Sequence, residues 1–283
     1  MLDPAENIVG ANPYCFFGYE PFVAYKYLAR AGITYTEIPA MVQSMALAYG
    51  LTNLAPEALS AADVQVLKEK LAALGQSVVS IAAFGDLVEP SHVEPMQRRI
   101  DFAVQLGAGV VLADAGGDLD MDRSLWNQTI TRSRFLGDYA AERGVRLALE
   151  IHAGLSRNGA VARRFLDAVD HPAIGVNYDT GNLIYVNDDL DPAEDIKEIA
   201  DRVFQVHLKD TTGGKGEWQF CALGDGRVNF PGFLEVLQAR DFRGPYLLEI
   251  EGLADEDLDL AGHLSRVEKS LAYLRRIGLM PSA

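Results

Sequence analysis

Four short apolar runs each end in a residue of the kind that binds a divalent metal. Glu150 closes Arg-Leu-Ala-Leu-Glu, Asp179 closes Ile-Gly-Val-Asn-Tyr-Asp, His207 closes Val-Phe-Gln-Val-His, and Glu249 closes Pro-Tyr-Leu-Leu-Glu. Three carboxylates and one imidazole suit Mn²⁺, Mg²⁺ or Co²⁺ better than a structural zinc, which favours thiolates and imidazoles. A lone acid at a strand end is an ordinary polar residue. Four such residues in successive units, each after an apolar run, point to a shared site. They converge only if their strands lie side by side and parallel.

The spacings test that requirement. They are 29, 28 and 42 residues. The first two fit one βα unit each, and the third contains an extra loop at 211–229. Strands are expected near 7–14, 33–38, 77–83, 109–114, 145–150, 174–179, 203–208 and 246–250. Helix start signals fall between them: Ser60 with Asp63, Ser91 before a run to Leu106, and Asp191-Pro192 with proline at the first helical position. Gly32, Gly75, Gly107, Gly144 and Gly278 stand where helices end, and four of the five lead directly into a new strand. Eight such units predict a single (β/α)8 TIM barrel over residues 1–283, with its chemistry at the C-terminal strand ends. The alternative, a doubly wound open sheet, needs a glycine-rich phosphate loop after its first strand. Asn12-Pro13-Tyr14-Cys15-Phe16-Phe17 does not provide one.

Composition narrows the partners. The 283 residues are 49% hydrophobic and carry a net charge of −15. That charge argues against sequence-independent nucleic-acid binding, which needs clustered Lys and Arg. No apolar run approaches the roughly 20 residues of a membrane span. Two cysteines, Cys15 and Cys221, are too few for a disulfide framework. That cysteine usage makes a reducing cytoplasm the expected location, and the stretch Met1 to Asn7 lacks the pattern of a signal peptide.

Leu149-Glu150-Ile151-His152, Asp179-Thr180-Gly181-Asn182, Val206-His207-Leu208-Lys209-Asp210 and Leu248-Glu249-Ile250-Glu251 resemble the motifs of the xylose-isomerase-like TIM barrels. Within that superfamily the pattern is most similar to the ketose 3-epimerase type. The resemblance follows strand order over the whole chain and is specific in motif over its second half. It implies that Glu150, Asp179, His207 and Glu249 bind one divalent ion, usually Mn²⁺ in the epimerases, and that Glu150 and Glu249 are also the acid and base. The chemistry is consistent: a metal on the substrate oxygens stabilises an enediolate, and two carboxylates on opposite faces take and return a proton.

Further residues are expected around that core. His152 shares the face of Glu150 by strand alternation and points into the mouth as a substrate contact. The epimerases usually carry histidine where Asn182 stands, so the hydroxyl contact there is an amide that does not titrate. Lys209 shares the face of His207 and is expected on a substrate oxygen or a ligand carboxylate. Glu37, read as the end of the second strand, is a candidate contact to the histidine or the sugar. Tyr14, Phe16 and Phe17 are candidate walls. The glycine-rich loop 211–218 is the lid candidate, with Trp218 over the substrate. Gly224 to Asn229 resembles a family turn expected to brace the metal histidine, with Arg227 reaching substrate. His92, His171 and His263 read as surface residues.

The expected function is a metal-dependent isomerase or epimerase acting beside the carbonyl of a carbohydrate. A lyase or dehydratase acting by elimination on a keto-sugar, keto-glycoside or inosose is the alternative. An endonuclease IV-like nuclease fits poorly with five histidines and the acidic charge. No phosphate cradle is evident, which favours an unphosphorylated sugar. Barrels of this kind often pair, so a homo-oligomer is an open expectation.

Overall fold

The computed structural model describes residues 4–44, 46 and 53–282. Eight parallel strands close into a barrel: β1 (Val9–Ala11), β2 (Tyr35–Pro39), β3 (Ser77–Asp86), β4 (Val110–Asp114), β5 (Arg146–Glu150), β6 (Ile174–Asp179), β7 (Val203–Leu208) and β10 (Tyr246–Leu248). They neighbour one another in sequence order, and β10 pairs with β1 to close the ring. The expected (β/α)8 barrel is therefore the observed fold. A short antiparallel sheet lies beside it, formed by β8 (Asp210–Thr211), β9 (Gln219–Cys221) and β11 (Gly252–Leu253).

Strand alternation separates two cores. In β4, Val110 and Leu112 pack inside the barrel with Ala148 of β5 and Phe204 of β7. Val111 and Ala113 belong instead to the large core between barrel and helices. Because side chains alternate, the inward row of each strand carries its last residue into the mouth. That period places Glu150 two residues above Ala148.

Several local rules act as expected. Ser60 and Asp63 form a capping box, Asp63 N donating to Ser60 Oγ (3.2 Å) and Ser60 N donating to Asp63 Oδ2 (2.8 Å). Such a cap contributes about 1 kcal/mol to helix Ala61–Ala73. The terminal glycines adopt left-handed φ values, for example +77° at Gly107. Other boundaries move. The first strand is only three residues, because Asn12 caps a 3-10 turn over Pro13–Phe16. The third runs on to Asp86 through an irregularity between Ala82 and Gly85, with Phe84 at φ +44°. The helix expected from Ser91 starts at Val93, after a 3-10 turn over Pro90–His92. Asp191-Pro192 opens a single turn, Pro192–Asp195. Among the described residues no helix is long and apolar enough to cross a membrane.

Candidate active site at the C-terminal mouth of the barrel

The ends of β5, β6 and β7 and the residue after β10 bring Glu150, Asp179, His207 and Glu249 together, all buried. One ligand atom from each lies within 4.8 Å of the others. His207 Nδ1 is 3.0 Å from Glu249 Oε2, 3.3 Å from Glu150 Oε1 and 3.8 Å from Asp179 Oδ2. Yet His207 Nδ1 and Asp179 Oδ2 make no hydrogen bond. A buried polar group left in that condition costs about 1–3 kcal/mol.

The charges show the same conflict. Burial drives the Asp179 carboxyl well above its ordinary range and raises Glu150. Burial also pushes Glu249 up, but Lys209 and His207 outweigh it and hold that carboxyl well below. Burial pushes His207 down, but Glu249, Glu150 and Glu37 more than reverse it. A divalent cation would satisfy the orphaned nitrogen and oxygen and balance the carboxylates. The donor set fits a hard ion of the Mg²⁺ or Mn²⁺ type.

Each side chain of the cluster is held from behind. Asp179 Oδ1 caps helix Thr180–Val186 by accepting from Asn182 N at 2.7 Å, which leaves Oδ2 for the cluster. His207 Nε2 faces Glu37, with Oε1 at 3.3 Å. Glu37 Oε2 in turn accepts from Ser80 Oγ (2.7 Å) and Gln205 Nε2 (2.9 Å). This carboxylate behind a metal-type histidine orients the ring. Asn177 Nδ2 donates to Glu150 Oε2, and Asn12 Nδ2 donates to Glu249 Oε1 at 2.7 Å.

Above the cluster lies a cleft with an empty volume of about 690 Å³, including the part open to solvent. Glu150, Glu249, Asn182, His152, Lys209, Glu251 and Asp114 supply its polar lining. Tyr14, Phe17, Met41, Phe84, Tyr185 and Trp218 supply the rest. Lys209 Nζ is 2.6 Å from Glu251, 3.4 Å from Glu249 and 3.7 Å from Asp179, and donates to Asn182 Oδ1 at 3.1 Å. Burial lowers the lysine's proton affinity, but those carboxylates raise it well above normal, so the group stays cationic. Burial, reinforced by Lys209, lowers His152 to about 4, so its imidazole is neutral near pH 7.

The structure separates the expected contacts. His152, Asn182, Lys209 and Trp218 line the cleft. Glu37 does not. It is fully buried below the cleft and meets His207 Nε2, the first of its two expected contacts. Arg227 does not reach the cleft either. It is exposed, and its backbone N donates to Thr211 O. The turn around it clasps Asp210 rather than His207: the Asp210 carboxylate accepts from Gly224 N, Gly226 N and Val228 N at 2.9–3.1 Å. Asn229 caps helix Phe230–Gln238. The lid candidate is a hairpin paired through β9 to β11, with Trp218 packed edge-on against Phe220 at 5.0 Å. Phe16 is part of the core, not a cleft wall. His263 is buried against Phe16 and Tyr19 with Nδ1 3.0 Å from Cys15 O, contrary to its surface reading. His171 Nδ1 and His92 Nδ1 accept from nearby backbone N–H groups. Asn12, Asn177, Asp114 and Glu251 were missed. Asp114 and Glu251 had a visible signal: Asp114 closes β4 as Glu150 closes β5, and Glu251 follows Glu249 by two residues as His152 follows Glu150.

A closed parallel barrel with a carboxylate–imidazole cluster at its C-terminal mouth defines a class of metal-site TIM barrels. Residues 25–277 match the xylose isomerase-like TIM barrel family, and the chain belongs to it. It is 24% identical over 246 residues to an inosose dehydratase of Geobacillus thermodenitrificans, covering 75% of this chain and 80% of that protein. Among solved structures it resembles a D-allulose 3-epimerase from Methylomonas sp., with a TM-score of 0.73, 20% identity, and coverage of 98% of this chain and 100% of the other. It also resembles a xylose isomerase-like TIM barrel protein from Mycobacterium smegmatis solved with magnesium, with a TM-score of 0.75, 21% identity and 99% coverage of each. At these identities the structural likenesses establish the fold alone.

Proposed function

We propose that this protein is a metal-dependent isomerase or epimerase that moves a proton on the carbon beside a carbohydrate carbonyl. One observation carries the reading. Glu150 and Glu249 come from different sides of the cluster, and both line the cleft. Each has one oxygen near His207 Nδ1 and the other fixed by a carboxamide donor, Asn177 for Glu150 and Asn12 for Glu249. Two fixed carboxylates facing one substrate site are what two-sided proton transfer needs: one takes the proton and the other returns it.

Glu150, Asp179, His207 and Glu249 would hold the divalent ion, with Mn²⁺ the first candidate and Mg²⁺ or Co²⁺ as alternatives. When bound, that ion supplies Lewis-acid stabilisation of negative charge on the substrate oxygens. Lys209 adds a fixed positive charge, and Asn182 and neutral His152 offer hydrogen bonds to hydroxyls. Trp218 and Tyr185 cover the mouth and limit water. A cytoplasmic location is consistent with the two free cysteines, both buried.

A second reading, elimination of water or an aglycone, draws support from the inosose dehydratase relative. It begins with the same proton removal. Incubating the Mn²⁺-loaded protein with ketoses and inososes in D₂O separates the two. Deuterium at an epimerised carbon supports the first, and an absorbing enone product supports the second. Neither product from any keto-substrate would overturn both.

A further inference from the structure

Asp114 takes no part in the metal-type cluster. It closes β4 on the inward row of Val110 and Leu112, and it lines the cleft beside Glu150 and His152. Among the described residues its carboxylate has no hydrogen-bond or ion-pair partner, whereas Glu150, Glu249 and Glu251 each have a donor. Burial, with Glu150 and Asp86 nearby, pushes its carboxyl up to about 8. An isolated acid aimed into a cleft is a recognition element rather than a stabilising one. In either protonation form it pairs with a hydroxyl, which both donates and accepts.

The rest of the lining sharpens the substrate class. Four carboxylates face the cleft: Asp114, Glu150, Glu249 and Glu251. Lys209 is the one lysine or arginine among the described lining residues, and Glu251, Glu249 and Asp179 already surround it. His152 is neutral near pH 7. A carboxylate or phosphate on the substrate would find no guanidinium to pair it, and the one lining ammonium, Lys209, is already held by three carboxylates.

We propose that Asp114 binds hydroxyls of an uncharged polyhydroxylated substrate and excludes substrates that carry a carboxylate or phosphate at that end. This rests on the proton-transfer reading above. It makes Asp114 a specificity-determining residue, separate from the acid/base pair.

The test uses the Mn²⁺-loaded full chain, a panel of free ketoses and inososes, and their uronate and phosphorylated counterparts. Binding is followed by calorimetry, and deuterium wash-in from D₂O reports proton transfer. Wild type is expected to prefer the neutral compounds. Asp114→Ala should raise KM for them about 2- to 10-fold, the range for losing an ordinary hydrogen bond, with kcat within about threefold. Asp114→Asn keeps an acceptor oxygen and should fall between the two. Substitution should also narrow the gap against the anionic compounds. Exchange with unchanged KM in both variants, or wild-type preference for an anionic compound, overturns the Asp114 assignment and leaves the reaction class standing. Selective binding that depends on Asp114 but gives neither exchange nor elimination does the reverse. No binding and no exchange anywhere in the panel contradicts both.

Discussion

Glu249 and Asp179 illustrate how one carboxylate does two jobs at the residue scale. Each commits one oxygen to the cluster and gives the other to a donor that fixes its orientation: Asn12 Nδ2 for Glu249, and the backbone N of Asn182 for Asp179. The clustering of the four residues was legible because each ends an apolar run. Asn12 and Asn177 were not, since a carboxamide carries no chemical signature until the register shows which carboxylate it meets. Glu37, expected on the histidine or the sugar, makes the first of those contacts, to His207 Nε2. Arg227 was read inward because a Gly-x-Gly turn does not reveal which carboxylate it wraps. Asp114 leads to a pH prediction. Its folded-state value, near 8, lies above the ordinary 3.8. The folded protein therefore binds more protons there, and the associated stability is fully present below about 3.8 and is lost as pH rises through about 8. Thermal melting of metal-free protein should show Asp114→Asn gaining on wild type steadily between pH 4 and 8. A constant difference across that window would contradict a raised carboxyl at Asp114.

At the element scale, the Asp179-Thr180-Gly181-Asn182 segment shows why a motif has its letters. Asp179 caps the following helix, and Thr180 Oγ1 donates to Lys209 O at 2.7 Å. Gly181 leaves room for the Lys209 stem: a Cβ there would come within 2.7 Å of Lys209 Cγ. Gly181→Ala should therefore displace Lys209 from Asn182, Glu249 and Glu251. Overpacking of this kind costs about 1–3 kcal/mol. The expected outcome is a modest fall in melting temperature with a much larger fall in turnover, read from paired melting curves and kinetics. Equal turnover would mean that Lys209 has no part in the site. The mouth hairpin was harder to read. Its glycines suggested a mobile lid, but β11 pairs with it from about thirty residues downstream, a contact no local pattern reveals.

At the scale of the whole molecule, the barrel was readable because four αβ turns repeat a glycine stop before an apolar strand. The repeat follows from physics: a left-handed residue ends the helix, and a buried strand follows. Closure of β1 on β10 needs the complete set of strands, so it appears only in the structure. The buried cluster ties folding to metal. Three carboxylates and an imidazole without a cation hold unpaired atoms in the core of the mouth. Chelation should lower the melting temperature and abolish turnover, and Mn²⁺ should restore both. An ion at 100 times its Kd adds about 2.7 kcal/mol, which for a chain of this size corresponds to roughly 4–5 °C. Scanning calorimetry with and without chelator measures that shift, and an unchanged melting temperature would count against a buried ion.

The most direct test of the central claim compares Glu249→Gln and Glu150→Gln with wild type by NMR, following deuterium wash-in beside the carbonyl of a substrate that wild type turns over. The account predicts that both variants fold and retain metal binding, measured by calorimetry, while exchange falls at least about a hundredfold, the scale of lost general acid–base catalysis. A Glu249→Gln protein that folds, binds one ion and exchanges at the wild-type rate would contradict it.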